Sequence, residues 1–287
     1  MSDAKVPARR SAARPIGHRA LRWAVLLSVT YLGIVVVFWF LERSFVFRPS
    51  SAEEAWLPPE DDRSQDVQFP AADGNTIAGR WIPPETPHHG AVLVTNGNGG
   101  NLTHRGRLAA ELRKATGAGV LLFDYPGYGK SAGKPSEGGC YAAGEGAYKW
   151  LTEEQRIAPS RVILCGESLG GGTAVELATR HNHRALVLVY TFTSLPDAAK
   201  HHFPFLPVKT LMRTRFDNLS KIQKCNRPVF FVHGTADKVV PLSHSERLFA
   251  AANEPKQFVR LEGVGHTMLL GDTFTSKLAA FLAAHAP

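Results

Sequence analysis

From residue 65 onward, short runs of β-forming residues alternate with stretches of helical character. The β-forming runs are DVQF, NTIAGRWI, AVLVT, GVLLFDY, RVILC, ALVLVY, PVFFVHG and KQFVRLE. Helices are expected near residues 103–115, 142–155, 169–180, 243–252 and 273–285. This alternation predicts an α/β fold with a mostly parallel central sheet and helices on both faces. The first two runs, joined by the turn-like AADG, predict an antiparallel hairpin at the sheet edge.

One short motif within this pattern indicates chemistry. Residues 166–170 read GESLG, directly after the strand RVILC and directly before a predicted helix. The tight strand-to-helix turn exposes Ser168 at the carboxyl ends of the strands, where parallel sheets bind ligands. Gly166 and Gly170 are needed there because side chains would collide with the neighbouring strand and helix. A glycine-rich helix cap with a capping serine is the alternative, and the position between strand and helix disfavours it.

A serine nucleophile needs a base and an acid, which in this kind of fold follow it in the order Ser, Asp or Glu, His. His266 follows the last predicted strand in GVGH, so we expect its ring at the same sheet edge as Ser168. Asp237 follows PVFFV in HGTAD and is the first choice for the acid, with Asp197 as the second. His233, at the end of PVFFVH, is interpreted as bracing the neighbouring loop.

These residues predict acyl transfer through an acyl-enzyme. His266 would take the Ser168 proton, and Asp237 would fix the imidazole tautomer. The developing oxyanion needs two N–H donors, for which we expect the backbone N–H groups of Leu169 and of Asn98 in NGNGGN.

The N-terminal part has a different character. Residues 23–41, WAVLLSVTYLGIVVVFWFL, are uncharged and mostly apolar, and as a helix they reach about 28 Å, close to the bilayer core. Six basic residues precede this run and two follow it, which predicts a cytoplasmic N-terminus. A cleaved signal peptide is disfavoured by the length of the run and the lack of small residues in FWFLERSF. Apolar residues on all faces disfavour a core helix.

The predicted organisation therefore has four parts. A basic cytoplasmic tail covers 1–22, a transmembrane anchor 23–41, a polar linker 42–64, and the hydrolytic domain 65–287, on the extracytoplasmic side.

Residues 1–50 supply most of the net charge of +8, so the folded part is close to neutral and nucleic acid is not an expected partner. Three cysteines without CxxC spacing predict no disulfide framework and no zinc site. No dinucleotide or phosphate-loop motif appears, so no cofactor is expected.

The residues from about 65 to 285 resemble the α/β-hydrolase superfamily. The resemblance depends on NGNGGN, FDYPGYGKSAG, GESLGG, TFTSLPDAA, HGTAD and GVGH together. The chain looks most like single-pass, membrane-anchored abhydrolases related to the depalmitoylating and dipeptidyl-aminopeptidase-like groups. Relatives usually carry His-Gly where this chain has Asn96-Gly97, so the oxyanion loop must be braced differently here. The resemblance implies that Asp124 supports a turn, and that residues 191–227 form a short cap.

The predicted function is hydrolysis of carboxylic esters or thioesters, with a small-molecule or lipid-like acyl substrate. A serine peptidase uses the same three side chains but needs a group that holds the substrate amine. A catalytically silent hydrolase fold that only binds is the third possibility, which the substitution at Asn96 leaves open. The aromatic residues at 203–206 could line an acyl pocket, touch the bilayer, or pack a short helix onto the sheet.

Overall fold

The computed structural model describes residues 17–86, 89–266 and 270–286. Its internal contacts divide the chain between Leu41 and Glu42 into an N-terminal unit and a larger unit that contains the sheet. Most of the predicted basic tail, residues 1–16, lies outside the described residues.

Strands of the larger unit follow the predicted β-forming runs, with two short additions. They are β1 (Arg48–Pro49), β2 (Gln65–Pro70), β3 (Thr76–Ile82), β4 (Ala91–Thr95), β5 (Gly99–Gly100), β6 (Gly119–Phe123), β7 (Val162–Glu167), β8 (Ala185–Val189), β9 (Val229–Gly234) and β10 (Lys256–Leu261). Eight of them form one sheet in the order β10-β9-β8-β7-β4-β6-β3-β2. All neighbours in it are parallel except β2 with β3 and β3 with β6, so the predicted sheet and its edge hairpin are confirmed.

Helices connect these strands and cover the sheet. They are α1 (His18–Val46), α2 (Gly106–Thr116), α3 (Glu137–Lys149), α4 (Gly170–Arg180), α5 (Leu195–His202), α6 (Val208–Leu211), α7 (Leu219–Ile222), α8 (Ser243–Ala251) and α9 (Gly271–His285). On one face, Leu112 of α2 and Phe274 of α9 share a core cluster with Val92 of β4. On the other face α3 packs against α4.

The central strands are apolar on both faces because both faces are covered. Leu93, Leu164, Leu186 and Val229 stand in register across β4, β7, β8 and β9, and all are fully buried. Burial of a side chain of this size contributes about 1.5–3 kcal/mol. The rigid centre of the sheet thus fixes the ends of the strands from which the site is built.

One helix boundary differs clearly from the sequence prediction. Helix α3 begins at Glu137, five residues before the expected start at 142. The Ser136 side chain accepts a hydrogen bond from the Gly139 N–H at 3.0 Å, which caps the helix. Two glycines in this first turn have low helix propensity, and the cap offsets that cost. The helix then continues into a π-helical turn at Trp150–Glu154.

The predicted linker, residues 42–64, belongs to the larger unit and contacts the rest of it along its length. Strand β1 pairs with β5 in parallel. The Lys130 ammonium lies 4.0 Å from the centroid of the Trp56 ring, and the Arg80 guanidinium donates to the Leu57 carbonyl oxygen at 3.2 Å. These contacts hold the segment against the domain rather than as a free tether.

The N-terminal unit consists of most of helix α1. The helix is long and apolar enough to cross a membrane. Its apolar side chains are largely exposed, with Phe40 at 69 % as an example, so they differ from the buried residues of a soluble core helix.

Candidate active site

Ser168 occupies a strained turn between strand β7 and helix α4. Its φ angle is +51°, in the left-handed region that non-glycine residues rarely adopt. The backbone holds this conformation from both sides, since the Ser168 N–H donates to Val189 O at 2.8 Å and its carbonyl accepts from Gly171 N–H at 3.0 Å. Strain of this kind, of about 1–3 kcal/mol, persists where the surroundings enforce it.

The two glycines of the motif are required by close packing, as the sequence predicts. A Cβ on Gly166 would lie 2.6 Å from Gly171 Cα and 2.8 Å from Ala174 Cβ. A Cβ on Gly170 would overlap the carbonyl oxygen of Thr95. Helix α4 therefore packs closely against the strands, and the turn before it places Ser168 at the carboxyl edge of the sheet.

The structure brings together the three side chains that the sequence singles out. His266 Nε2 lies 2.8 Å from Ser168 Oγ, and His266 Nδ1 lies 2.7 Å from Asp237 Oδ2. Ser168 follows β7, Asp237 follows β9, and His266 follows β10, so each comes from the carboxyl end of a strand. The imidazole lies between an alcohol and a carboxylate, a geometry that can move a proton from the hydroxyl to the ring.

Asp237 is held by donors at both carboxylate oxygens. Oδ1 accepts from the N–H groups of Val239 at 2.8 Å and Val240 at 2.9 Å. Oδ2 faces His266 and also lies 3.1 Å from His233 Nε2. Burial alone would raise the pKa of Asp237, but the hydrogen bonds from His233 and His266 hold that pKa well below its usual range. The carboxylate therefore stays ionised beside His266.

His233 and Asp197 lie where they cannot replace these residues. His233 is fully buried, with Nδ1 2.7 Å from Ser245 Oγ and Nε2 2.8 Å from Val240 O. This agrees with its interpretation as a brace of the Asp237 loop. Asp197 lies in α5 and pairs with Lys209 at 2.6 Å, and no hydrogen bond joins it to His266 in the described chain.

The predicted oxyanion donors lie in the two segments next to Ser168. Leu169 directly follows Ser168, and a Cβ on Gly97, next to Asn98, would lie 3.7 Å from Ser168 Cβ. Within the described residues, the N–H groups of Leu169 and Asn98 donate no hydrogen bond. An oxyanion requires N–H donors that are not already bound to another acceptor.

Asn96, where the resemblance implies a histidine, holds the loop that follows β4. Its Nδ2 donates to Phe123 O at 2.6 Å, and its own carbonyl oxygen accepts from Tyr125 Oη at 3.0 Å. These two hydrogen bonds tie the loop that begins at Asn96 to the end of β6 and to Tyr125, just beyond it.

Sequence reasoning missed an ion pair next to the nucleophile. Glu167 Oε2 lies 2.7 Å from Arg105 Nε and 3.4 Å from the Gly97 N–H, while Arg105 Nη2 donates to Gly99 O at 2.9 Å. Glu167 is part of the GESLG motif, so the sequence does indicate that Glu167 lies near the site. Nothing local marks Arg105, because its partner is distant in the sequence.

The sequence motifs likewise do not indicate that Tyr190 lies at the candidate site. It follows β8 with a φ angle of +51°, and its ring centroid lies 5.7 Å from those of both His233 and His266. Its buried ring forms one wall beside the imidazole.

The Asp124 side chain accepts from Leu102, whereas the resemblance implies a role in the glycine-rich turn that follows Asp124 itself. It is 1 % exposed, and Oδ1 accepts from the Leu102 N–H at 2.6 Å, whereas Oδ2 has no hydrogen-bond partner among the described residues. Burial raises the pKa of Asp124 to about 7, although the Leu102 N–H and the charge of Arg105 oppose this.

The cap region 191–227 consists of three short helices with an exposed turn between two of them. Phe205 is 88 % exposed, and Phe203 is 37 % exposed. The rings of Phe203 and Phe45 lie near each other, with their centroids 6.4 Å apart.

In the described part of the chain, no group of three or more His, Cys, Asp or Glu side chains could hold a metal ion.

Comparisons with known proteins agree with this architecture. The family model of the alpha/beta hydrolase fold matches residues 90–207. An uncharacterized protein of Mycobacterium tuberculosis is 37% identical over 249 residues, which cover 86% of this chain and 88% of that protein. Alpha/beta hydrolase domain-containing protein 17B of Xenopus laevis is 33% identical over 73% of this chain and 72% of its own length.

Among solved structures, the Pyrococcus furiosus esterase Pf2001 superimposes with a TM-score of 0.68 at 19% identity, covering 84% of this chain and all of that one. This likeness concerns the fold. Together with the relatives, it shows that the chain belongs to the α/β-hydrolase superfamily, and hydrolysis is the activity that this membership supports.

Proposed function

We propose that this protein is a serine hydrolase that cleaves carboxylic esters or thioesters through an acyl-enzyme. The observation that carries the proposal is the continuous contact from Ser168 Oγ through His266 to Asp237, with distances of 2.8 Å and 2.7 Å. A strained serine, an imidazole and a buried carboxylate in this order are the arrangement used for acyl transfer.

In the proposed reaction, Ser168 Oγ attacks the acyl carbon while its proton passes to His266 Nε2. Asp237 keeps the proton on Nδ1 and stabilises the imidazolium that forms. The imidazolium then protonates the leaving alcohol or thiol as its bond to the acyl carbon breaks. Water, deprotonated by the same imidazole, attacks the acyl-enzyme and releases the acid, which regenerates the serine.

The N–H groups of Leu169 and Asn98 are assigned to the oxyanion of both tetrahedral intermediates. Their lack of other hydrogen bonds in the described chain supports this assignment. Loss of one such donor typically costs about 10²- to 10³-fold in rate.

Ester and thioester substrates are favoured over peptides with a free amine. An aminopeptidase needs a carboxylate that binds the substrate ammonium, and Glu167 is the acidic residue adjacent to Ser168. That carboxylate is already paired with Arg105 at 2.7 Å, which disfavours the peptidase. The unengaged donors and the hydrogen-bonded imidazole disfavour a catalytically silent fold that only binds ligands.

We also propose that helix α1 anchors the protein in a membrane, with residues 1–22 in the cytoplasm and the hydrolase domain on the opposite side. The length and apolar character of the helix support an anchor, and the excess of basic residues before it supports the orientation. A lipid-like acyl substrate would then be available at the same surface.

The test combines covalent labelling with a substrate panel on the full chain in detergent. A fluorophosphonate probe should label the native protein and not Ser168→Ala. Acyl esters and thioesters of several chain lengths should be hydrolysed, whereas aminoacyl amides should not. Cleavage of amides alone would exclude the esterase, and absence of serine-dependent labelling would favour the silent fold.

A further inference from the structure

Residues 46–50, directly after the apolar helix, run along the loop that carries Asn98. Arg48 N–H donates to Asn98 O at 3.0 Å, and Ser50 N–H donates to Gly100 O at 3.1 Å. The Asn98 side chain donates in return, from Nδ2 to Val46 O at 3.1 Å. This is the parallel pairing of β1 with β5, outside the main sheet.

The same segment is held on its other side by the glycine-rich turn after β6. Gly129 N–H donates to Ser50 O at 3.0 Å, and Ala52 N–H donates to Gly129 O at 3.2 Å. Tyr128 Oη from this turn reaches across to Asn98 O at 2.7 Å. The segment therefore lies between the oxyanion loop and a turn that is fixed to the sheet.

The residues just before this segment are fixed as well. The Glu42 carboxylate accepts from the N–H groups of Arg213 at 3.1 Å and Thr214 at 2.7 Å, and Glu42 is only 2 % exposed. Arg43 Nε donates to Pro135 O at 2.8 Å.

From these contacts we infer that strand β1 is a positioning element of the oxyanion loop, so that acylation by Ser168 depends on residues 46–50. This inference rests on the proposed function. Two donors hold the Asn98 carbonyl oxygen and one acceptor holds its side-chain amide, whereas its N–H donates no hydrogen bond among the described residues. Because a donor must lie close to the position that the oxyanion takes, a displacement of about 1 Å can cost about 10²-fold in rate.

The test removes a backbone donor while controlling for the side chain. In the full chain in detergent, Arg48→Pro removes both the guanidinium and the N–H that binds Asn98, whereas Arg48→Ala removes only the guanidinium. We expect Arg48→Ala to retain kcat within about twofold and Arg48→Pro to lose about 10- to 100-fold in kcat with little change in KM.

A trifluoromethyl ketone separates loss of positioning from loss of folding. Ser168 Oγ adds to its carbonyl carbon, the proton passes to His266, and the ketone oxygen becomes an oxyanion. Its inhibition constant should weaken in Arg48→Pro by the same factor as kcat/KM falls, while KM for the ester stays constant. Equal constants for Arg48→Pro and Arg48→Ala would overturn the inference.

Two further measurements apply if Arg48→Pro does not fold. Ser50→Pro removes the N–H that binds Gly100 O, the other donor of residues 46–50, whereas Ser50→Ala keeps it, and we expect the same difference between these two variants. In the native protein, the ketone should slow hydrogen exchange of residues 46–52 together with 96–101, and protection of 96–101 alone would overturn the inference. If the ketone binds native protein and Ser168→Ala equally, the proposed function itself has failed.

Discussion

The Asp237 carboxylate accepts from two backbone N–H groups at one oxygen and faces two histidines at the other. This arrangement separates its structural task from its proposed catalytic one. An asparagine oxygen can still accept from Val239 and Val240, but an amide facing His266 Nδ1 would favour the wrong imidazole tautomer. The loop should therefore tolerate the substitution better than the reaction does.

We predict that Asp237→Asn lowers kcat by about 10⁴-fold, the loss that this substitution causes in a serine protease. Ester hydrolysis by the full chain, measured together with the melting temperature, checks this. Asp197→Asn is the matched control, because Asp197 pairs with Lys209 away from Ser168, and it should retain kcat within a few-fold. The reverse ranking of the two variants would assign the acid to Asp197.

Asp124 leads to a prediction about stability against pH. Burial raises its pKa to about 7 in the folded protein, above the value of about 3.9 for an unfolded chain. A raised acid pKa means that the folded state binds the proton more tightly. Its cost to folding is therefore absent below about pH 4, grows between the two pKa values, and is complete above about pH 7.

Asp124→Asn removes this titration and keeps an oxygen for the Leu102 N–H. We expect the melting temperature of the variant minus that of the native protein to increase from pH 5 to pH 8. The exposed Asp62→Asn is the control, and its difference should not change over that range. A constant difference for Asp124→Asn would mean that this carboxyl keeps an ordinary pKa in the folded state.

At the scale of elements, the β-forming runs predicted from the sequence form strands in the structure. The central runs are continuously apolar because the strands they form are covered on both faces. The start of α3 was misplaced because a serine cap outweighs the poor helix propensity of two glycines. Strand β1 could not be predicted: Arg-Pro has no strand character, and its partner Gly99–Gly100 is about fifty residues away. Long-range pairing of this kind leaves no local signal.

The same distinction applies to the candidate site. The nucleophile turn, the acid loop and the imidazole each follow a recognisable strand, so chain order alone brings Ser168, Asp237 and His266 to one edge. Arg105 and the contact of Asn98 with Val46 depend on side chains that meet only in the folded protein, and sequence reasoning did not identify them.

The glycines at the start of two helices allow a matched prediction. A Cβ at Gly170 overlaps the Thr95 carbonyl oxygen, so Gly170→Ala must push α4 away from β4. A Cβ at Gly138 in the first turn of α3 meets nothing within 4 Å. We expect Gly170→Ala to reduce the free energy of unfolding by about 3 kcal/mol or more, and Gly138→Ala to raise it by about 0.5–1 kcal/mol.

Urea denaturation of both variants in the same detergent measures these changes. If Gly170→Ala unfolds at the same urea midpoint as the native protein, helix α4 is less closely packed than described. Ester hydrolysis provides a second readout, because a displaced α4 also displaces Ser168 and the Leu169 N–H.

For the whole molecule, the charge distribution decides which side of a membrane the enzyme would face. Most of the net charge of +8 lies in the first fifty residues, and most of those basic residues precede the apolar run. In the proposed orientation, the positive-inside rule would keep the N-terminus in the cytoplasm and place the remaining chain on the other side. The domain is near neutral, so its own charge offers little resistance to that orientation.

Single cysteines test this orientation, since the three native cysteines are buried. With a membrane-impermeant maleimide on intact spheroplasts of an expressing bacterium, we expect the exposed Lys277→Cys to react at once. Ser11→Cys should react only after permeabilisation, and the native chain should react in neither condition. Immediate labelling of Ser11→Cys with protection of Lys277→Cys would invert the orientation. Recovery of the protein in the soluble fraction would instead exclude α1 as a stable anchor, because a helix of this apolar length does not leave a bilayer once inserted.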